Sequence, residues 1–393
     1  MPTAIIHYHE IALKGGNRSF FEAKLRDNLK RVFTGLDGAK IEKKHDHFRA
    51  HFGKKDQEEA KKRLGQVCGV ENFSMVESTK PDFEKVVELA VKLVREELVT
   101  RQNSSNDGVR FRVTVHRSDK QFKMNSPELS KEISAKILPQ FDELKVDLKN
   151  PEVVLYVDWG KKEALLSVRK HKGLGGLPTG VSGKVVSLIS SGFDSPVASF
   201  MMMRRGATVV YIHFHSYPST GQESIDNVKE IVQKLNCYQG QSKLYLIPLI
   251  DYQKVVLAKA PAPLRVLLYR RMMFRLAERV MSREKAKALV TGESLAQVAS
   301  QTLENMNTVN VLASRPVLRP LIGMNKNEII QFAEQIGTAE ISKQPYDDCC
   351  SLYVPKAPAL AARVNELEQA EEKLDIEKYL DELWEAREIE KFG

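Results

Sequence analysis

The chain has 393 residues, with 60 Lys and Arg against 51 Asp and Glu, a length that favours two or three domains with ample buried core. It contains no apolar run of the ~18–20 residues a membrane span needs, and MPTAIIHYHE lacks the basic-then-apolar order of a secretory signal. Cys68, Cys237, Cys349 and Cys350 are too few and too unevenly placed for a disulfide framework, so a cytoplasmic protein with no membrane attachment is expected. The net charge of +9 is uneven: residues 361–393 hold eleven acidic and five basic side chains, net −6, which leaves +15 on residues 1–360. A basic body suits a polyanion, nucleic acid first; a solvated basic surface is the plainer alternative.

AIIHY (residues 4–8) has the composition of a strand, and Lys14–Arg18 of a loop. Asn17 or Ser19 could cap a helix whose apolar face is Phe20, Phe21, Leu25, Leu29, Val32 and Phe33. Strand signals near 38–43 and 47–52, a helix near 56–65 and a strand near 70–76 complete a βαββαβ order, that of a ferredoxin-like unit. Its alternating His7, His9, His45 and His47 are expected to be structural. A second α/β module spans about 80–170: a helix over 82–100, the β-branched strand FRVTV, a basic turn HRSDKQFKMNS, a helix from Ser126-Pro127, then EVVLYVDW and ALLSVRK.

KGLGGLPTG, with four glycines and a proline in nine residues, marks the clearest boundary. Beyond it, VVSLIS, ATVVYIHFH, KLYLIPLI and KALVTG alternate with helices, including a long one across 264–283. Continuous apolar strands separated by helices predict a doubly wound parallel sheet. The segment from about 360 reads as a charged helical tail carrying Trp384.

LISSGFDSPVAS (188–199) ends the first strand of that sheet and runs into a helix. Backbone N–H groups at such a helix start form an anion site, and serine hydroxyls add donors. Asp194 would repel a bare phosphate, which points to Mg²⁺ or to an orienting role. Walker loops carry a lysine that is missing here, and an ordinary strand–helix turn is the bland alternative.

The stretch resembles the SGGxDS pyrophosphate loop of N-type ATP pyrophosphatases, with Ser191 where that pattern usually has its first glycine; a left-handed backbone would strain a serine there. Together with EIALKGGNR (10–18), GESLAQVASQTLENM (292–306), RPLIGMNKNEII (319–330) and QPYDDCCSLYVPKAP (344–358), it makes the chain resemble the tRNA 4-thiouridine synthetases, also called tRNA uracil 4-sulfurtransferases, over nearly its whole length. HRSDKQFKMNSPELSKEIS is similar to a THUMP RNA-binding domain. The resemblance implies an α/β multidomain protein: a ferredoxin-like domain (1–76), a THUMP domain (77–172), a Gly-rich linker (173–180) and a PP-loop ATP pyrophosphatase domain (181–393), with the acidic helical tail from about 360. It implies ATP-dependent conversion of uridine, typically at position 8 of tRNA, to 4-thiouridine. Adenylation of O4 releases pyrophosphate, and a persulfide sulfur then displaces AMP.

Carried over residue by residue, the resemblance places ATP contacts at Leu188, Ile189, Ser190, Gly192, Ser195, His213, Phe214, Arg270, Gly292 and Gln301. Strand-end backbone and Phe214 would hold adenine, Arg270 would neutralise phosphate and Gly292 would permit close backbone approach. Core packing is the plain alternative for Phe214. For Arg270 it is a solvated helix face shared with Arg271 and Arg275. Asp194 would orient Mg²⁺ or the nucleotide. Lys326 matches a lysine that would balance charge on departing pyrophosphate, with Asn325 where the family motif has Asp. Cys349 takes the position of the catalytic cysteine, and Cys350 offers a second thiol. Their neighbours Asp347 and Asp348 raise rather than lower a thiol pKa, and Cys68 and Cys237 are expected in the core.

Lys14, Asn17, Arg18, Arg117, Lys120 and Lys123 are the tRNA-binding candidates, gripping phosphates and reading folded shape. The chain ends at Gly393 without the rhodanese domain of one family branch. Sulfur is therefore expected directly from a cysteine desulfurase, and sulfur transfer for thiamine synthesis is a secondary expectation. The family also implies a homodimer. Two other readings compete: a different carbonyl-adenylating pyrophosphatase such as a lysidine synthetase, and a non-catalytic RNA-binding protein that keeps the fold.

Overall fold

The computed structural model describes residues 2–101, 108–118, 122–345, 353 and 355–393. Contacts divide the chain into two compact units, Met1–Gly175 and Gly176–Gly393.

The first unit opens with β1 (Thr3–His7), α1 (Arg18–Val32), β2 (Lys40–Lys43), β3 (Phe48–His51), α2 (Gln57–Leu64) and β4 (Asn72–Thr79). It continues with α3 (Phe83–Arg101), β5 (Val109–Arg117), α4 (Ser126–Ile137), β6 (Leu144–Val146), β7 (Val153–Trp159), β8 (Ala164–Ser167) and β9 (His171–Lys172). Among the described residues the strands join in the order β2-β3-β1-β4-β8-β7-β5-β6, with β9 also on β4. β4 serves both halves: Asn72–Val76 pair with β1, and Glu77–Thr79 pair with β8. A boundary after residue 76 therefore falls inside a continuous strand, where no turn residue could mark it. One core gathers Leu25, Leu29 and Phe33 of the first helix and its end with Phe48 and Phe52. Phe20, placed on that face by spacing, is 57 % exposed. Asn17 sits at the N-cap position of α1 without a side-chain capping bond, so it does not cap as expected. α4 is instead capped by Asn125, which accepts from Glu128 N while Glu128 accepts from Asn125 N.

The second unit contains β10 (Lys184–Leu188), α5 (Asp194–Arg204), β11 (Thr208–His215), α6 (Glu223–Gln239), β12 (Ser242–Pro248), α7 (Ile250–Lys259), α8 (Arg265–Glu284) and β13 (Ala288–Val290). Then come α9 (Leu303–Asn310), β14 (Val317–Leu318), α10 (Lys326–Gln335), α11 (Ala339–Ser342), α12 (Val364–Glu371), α13 (Ile376–Glu385) and β15 (Glu388–Phe392). The strand order is β14-β13-β10-β11-β12-β15, parallel except for β15. The chain starts at β10, builds outward through β11 and β12, then returns to place β13 and β14 on the other side. The order thus reverses between β10 and β13, and such sheets bind ligands beyond the carboxyl ends of the strands at that point.

The tail carries two helices, α12 and α13, packs onto the second unit's core and ends on a strand, β15, that was not expected. Leu367, Leu374, Leu380 and Leu383 share one core with Met272, Leu276 and Val280 of α8. EIEKF, which alternates in polarity, forms β15 and pairs antiparallel with β12, covering that sheet edge. Arg271 and Arg275 do not line a solvated face either. Glu371 accepts from Arg271 at 2.9 and 2.8 Å and from Arg275 at 2.6 and 2.9 Å. Burial of Glu371 pushes its carboxyl pKa up, yet the Arg271 and Arg275 guanidiniums outweigh that and hold it below the usual range. Of the cysteines expected in the core, Cys68 is buried and Cys237 half-buried.

Candidate active site at the switch point

The Ser190–Ser195 loop leaves the carboxyl end of β10, where Ile189 N donates to Ile212 O at 2.9 Å. The N-cap position of α5 is Phe193, which makes no side-chain capping bond, so among the described residues the N–H groups of its first turn lack the cap that would normally take them. The serines do not all serve as outward donors. Ser190 N donates to Ser195 Oγ at 2.8 Å, and that hydroxyl lies 3.1 Å from Ser190 Oγ. Ser199 Oγ donates to Ser195 O at 2.8 Å and lies 2.9 Å from Ser187 Oγ. This chain of hydroxyls fixes the loop's shape. Ser191 is fully buried and its Oγ has no hydrogen-bond partner among the described residues. Its backbone is not left-handed, since Lys285 and Ala296 are the non-glycine residues with positive φ among those described. Serine is accommodated there without the strain a left-handed position would impose.

Asp194, the first residue of α5, is the meeting point. Lys326 Nζ lies 2.6 Å from its Oδ1, and Gln297 Nε2 donates to its Oδ2 at 3.0 Å. Lys326 also stands 5.5 Å from the Phe193 ring centroid. The lysine is positioned by the start of α10. Asn325 Oδ1 accepts from Glu328 N at 3.1 Å, and Glu328 Oε2 accepts from Asn325 N at 2.8 Å. An N-cap needs only a short side-chain acceptor, so Asn serves as well as Asp. Gly292, just past β13, packs against the same loop. A Cβ there would fall 2.8 Å from Ser195 N and 2.9 Å from Asp194 C, so its close approach is to the α5 backbone. Ala296, in the loop that follows, has φ 59°, a conformation that costs a non-glycine residue about 1 kcal/mol or more.

Arg270 extends from the N-terminal half of α8. Its Nη2 donates to Glu293, which also accepts from Arg319 Nε at 2.6 Å and Thr291 Oγ1 at 2.8 Å. Glu293 is 3 % exposed. Burial pushes its pKa up, but Arg270 and Arg319 hold it below the usual carboxylate range. Gln301 is buried, and its Oε1 has no partner among the described residues. His213 is buried, its Nδ1 2.9 Å from Ile189 O and its Nε2 3.3 Å from Ser224 Oγ, tying β11 to the end of β10. Phe214 belongs to the core that includes Ile212, Tyr245 and Met272. What it presents at the strand end is backbone more than ring. Glu293, Gln297 and Arg319 were not singled out from sequence, although each lies in or at the edge of a stretch quoted above.

In the first unit, Arg18 is engaged by Glu22 and by Tyr8 OH at 2.8 Å each, and Arg117 Nη1 donates to Phe122 O at 2.8 Å and Met124 O at 3.0 Å. Arg18 ties the start of α1 to Tyr8 beyond β1, and Arg117 braces the loop that follows it. Lys14 lies 5.3 Å from the Phe21 ring centroid, while Asn17 and Lys123 are exposed. Lys120, Cys349 and Cys350 lie outside the described residues. Among the described residues, no three His, Cys, Asp or Glu side chains converge on a metal site, and no helix is long and apolar enough to cross a membrane.

Three family models match the chain: a ThiI ferredoxin-like domain over residues 3–74, a THUMP domain over 80–169, and the thiamine biosynthesis protein ThiI over 180–376. A probable tRNA sulfurtransferase of Caldanaerobacter subterraneus subsp. tengcongensis is 41 % identical over 377 residues, covering 96 % of each chain. The chain belongs to the ThiI family. A second ThiI-family relative, the probable tRNA sulfurtransferase of Brevibacillus brevis, is 38 % identical over 98 % of this chain and 95 % of its own. The crystal structure of a 4-thiouridine synthetase–RNA complex with bound ATP matches with a TM-score of 0.89 at 34 % identity, covering all of both chains. The α/β architecture, with ferredoxin-like, THUMP and PP-loop parts, is thus that of the ThiI family.

Proposed function

We propose that this chain is a cytoplasmic, ATP-dependent tRNA sulfurtransferase that converts uridine, typically at position 8, to 4-thiouridine. The observation that carries the reading is the Asp194–Lys326 pair beside the uncapped start of α5, at the switch point of the sheet. The membership in the ThiI family, with a 34 %-identical neighbour solved with RNA and ATP, supports the same chemistry.

The α5 N–H groups and the loop at Ser190, Gly192 and Ser195 receive the pyrophosphate end of ATP. Leu188, Ile189, His213 and Phe214 flank the base with strand-end backbone, while Gly292 and Gln301 border the nucleotide from the β13 side. Arg270 and Lys326 supply countercharge. Lys326 keeps further N–H donors beyond the one on Asp194, so it can follow an oxygen as negative charge develops. Uridine O4 attacks the α-phosphorus and its bond to pyrophosphate breaks. A sulfane sulfur carried on Cys349 then attacks C4, the C4–O bond breaks and AMP leaves. A second thiol, Cys350 or an external one, cuts the S–S bond, leaving sulfur on C4 and the two thiols joined as a disulfide.

One carboxylate beside a phosphate cradle is the protein share that Mg²⁺ takes when phosphates provide the other oxygens. Asp194 fits it, since among the described residues each of its oxygens accepts one hydrogen bond. When bound, the ion neutralises charge on the departing pyrophosphate. Lys14, Asn17, Arg18, Arg117, Lys120 and Lys123 form the tRNA-contacting set, a cysteine desulfurase supplies the persulfide, and the working form is a homodimer.

The test is 4-thiouridine content by nucleoside mass spectrometry, after incubating tRNA with Mg-ATP, cysteine and a cysteine desulfurase. Wild type makes the nucleoside, Cys349→Ala makes none, and Cys349→Ala still releases pyrophosphate when tRNA is added. Wild type that binds tRNA and ATP but neither thiolates nor releases pyrophosphate refutes the reading.

A further inference from the structure

Two clusters on α8 are built alike, each with two arginines on one buried carboxylate, and they differ in what is left over. At Glu371, Arg275 spends both Nη atoms on the carboxylate, and Arg271 spends Nε and Nη2 there and Nη1 on Thr308 O at 2.6 Å. Neither has a buried nitrogen without a partner. At Glu293, Arg319 Nη1 reaches Asn310 Oδ1 at 3.3 Å, but Arg319 Nη2 and Arg270 Nε are buried with no hydrogen-bond partner among the described residues. A buried donor left unmade costs about 1–3 kcal/mol, more when charged. A cluster whose only duty was structural would be expected to saturate them, as its neighbour does.

The position says what the donors face. Arg319 directly follows β14, Glu293 lies three residues past β13, and Arg270 comes from the N-terminal half of the helix that precedes β13. All three elements therefore meet at the carboxyl end of the sheet. Gly292, adjacent to Glu293, packs on the Asp194–Ser195 backbone. Unspent guanidinium donors beside an anion cradle match phosphate oxygens, which accept planar, forked donation.

We propose that Arg319 is a second nucleotide-phosphate-binding residue of this site, and that Glu293 is the positioning residue that holds Arg319 and Arg270 as a pair. The inference rests on the ATP reading above and adds two residues to it. Glu293 sets the Nε–H of Arg319 and one Nη of Arg270, which leaves their remaining edges turned to the polyphosphate. A tRNA phosphate offers the same chemistry, and the experiment separates the two.

The full chain is compared with Arg319→Met, Arg319→Lys and Glu293→Gln by calorimetric titration of Mg-ATP without tRNA, by filter binding of tRNA without ATP, and by tRNA-stimulated pyrophosphate release. Arg319→Met should weaken ATP binding about tenfold or more, as expected for one charge-assisted hydrogen-bond set, with tRNA affinity within about twofold. Arg319→Lys, which keeps the charge and loses the fork, should fall between. Glu293→Gln should raise KM for ATP by a similar factor while kcat changes less, a split that a merely stabilising carboxylate would not produce. ATP affinity within about twofold of wild type in both Arg319 variants, or a loss confined to tRNA, overturns the proposal. Wild type that fails to bind ATP at all overturns the function proposed above and this inference with it. Should Arg319→Met not fold, Arg319→Lys and Glu293→Gln carry the same comparison.

Discussion

Replacing Glu371 by Gln removes one charge from a site that holds three. Arg271 is 2 % exposed, Glu371 7 % and Arg275 19 % at the side chain, and the carboxylate takes four donors between 2.6 and 2.9 Å. Removing one partner of a buried pair costs about 3–5 kcal/mol, because the other charge stays buried without compensation. For a unit of roughly 200 residues, at about 2–4 °C per kcal/mol, that lowers the melting temperature by about 10 °C. A contrast lies one helix further on. Asp381 meets Arg279 at 2.6 Å, but the Asp381 side chain is 68 % exposed, so Asp381→Asn should cost under about 1 kcal/mol. Thermal denaturation followed by tryptophan fluorescence reads both, since Trp384 sits on α13 and packs against the same core. Replacing both Glu371 and Arg271 by Met should recover much of the loss, as apolar substitutes for buried pairs often do. Glu371→Gln melting within about 2 °C of Asp381→Asn would refute the claim that buried charge pairing fastens the tail.

Lys326→Met should reduce thiouridine formation about a hundredfold or more, in line with loss of one electrostatic stabiliser, while filter-bound tRNA affinity stays within about twofold; unchanged kcat would remove Lys326 from the chemistry. Glu284, buried beside Lys243, Tyr245 and Lys184, is pushed up by burial but held at about 2 by those partners against the usual 4.5. A depressed pKa stabilises above the unfolded value and is lost as pH falls, so roughly 3 kcal/mol should disappear between about pH 4.5 and 2; Glu284→Gln should flatten that part of the acid-unfolding curve, and an unaltered curve contradicts it. Asn325→Ala should cost about 1 kcal/mol in urea denaturation and raise KM for ATP by loosening Lys326, whereas Asn325→Asp should be near neutral. A larger loss with Asp than with Ala would show that Asn325 does more than cap.

What the sequence revealed, and what it concealed, divides along a physical line. β10, β11 and β12 were legible because continuous apolar strands between helices have few other homes; Asp194 stood out as a carboxylate in a strand-to-helix loop of small hydrogen-bonding residues, and Lys326 only through the resemblance of its stretch to a family motif. β4 concealed its double use, because a strand shared by two halves carries no turn residue at the point of transfer. Glu293 looked like any polar residue after a strand; its partners come from positions 270 and 319, on a helix and a strand end that the fold brings together. For YRRMMFRLAER a solvated basic face stood as the plain alternative to a phosphate contact by Arg270, because hydropathy is assigned residue by residue. Whether an arginine is buried depends on a carboxylate that, for Arg271, lies a hundred positions away.

That dependence changes the meaning of the uneven charge. The −6 of residues 361–393 and the +15 of the remainder suggest a basic body free to meet a polyanion and a separate acidic tail. In the folded chain the two cancel locally: Arg271, Arg275 and Arg279 of α8 are matched by Glu371 and Asp381, and Lys229 by Glu390 at 2.5 Å. Arg271 and Arg275, held on the buried Glu371, are therefore not available to nucleic acid, and substitutions that neutralise them should change stability without changing the salt dependence of tRNA binding. Arg18 is held by Glu22 and Tyr8 and Arg117 by the loop that follows it, and an exposed lysine such as Lys123 has no such tie among the described residues. If phosphate contacts set the salt slope, Lys123→Ala should lower it by about one, whereas Arg275→Ala should leave it unchanged. Equal slopes for the two variants would mean that local pairing in the folded chain does not decide which cations meet the RNA.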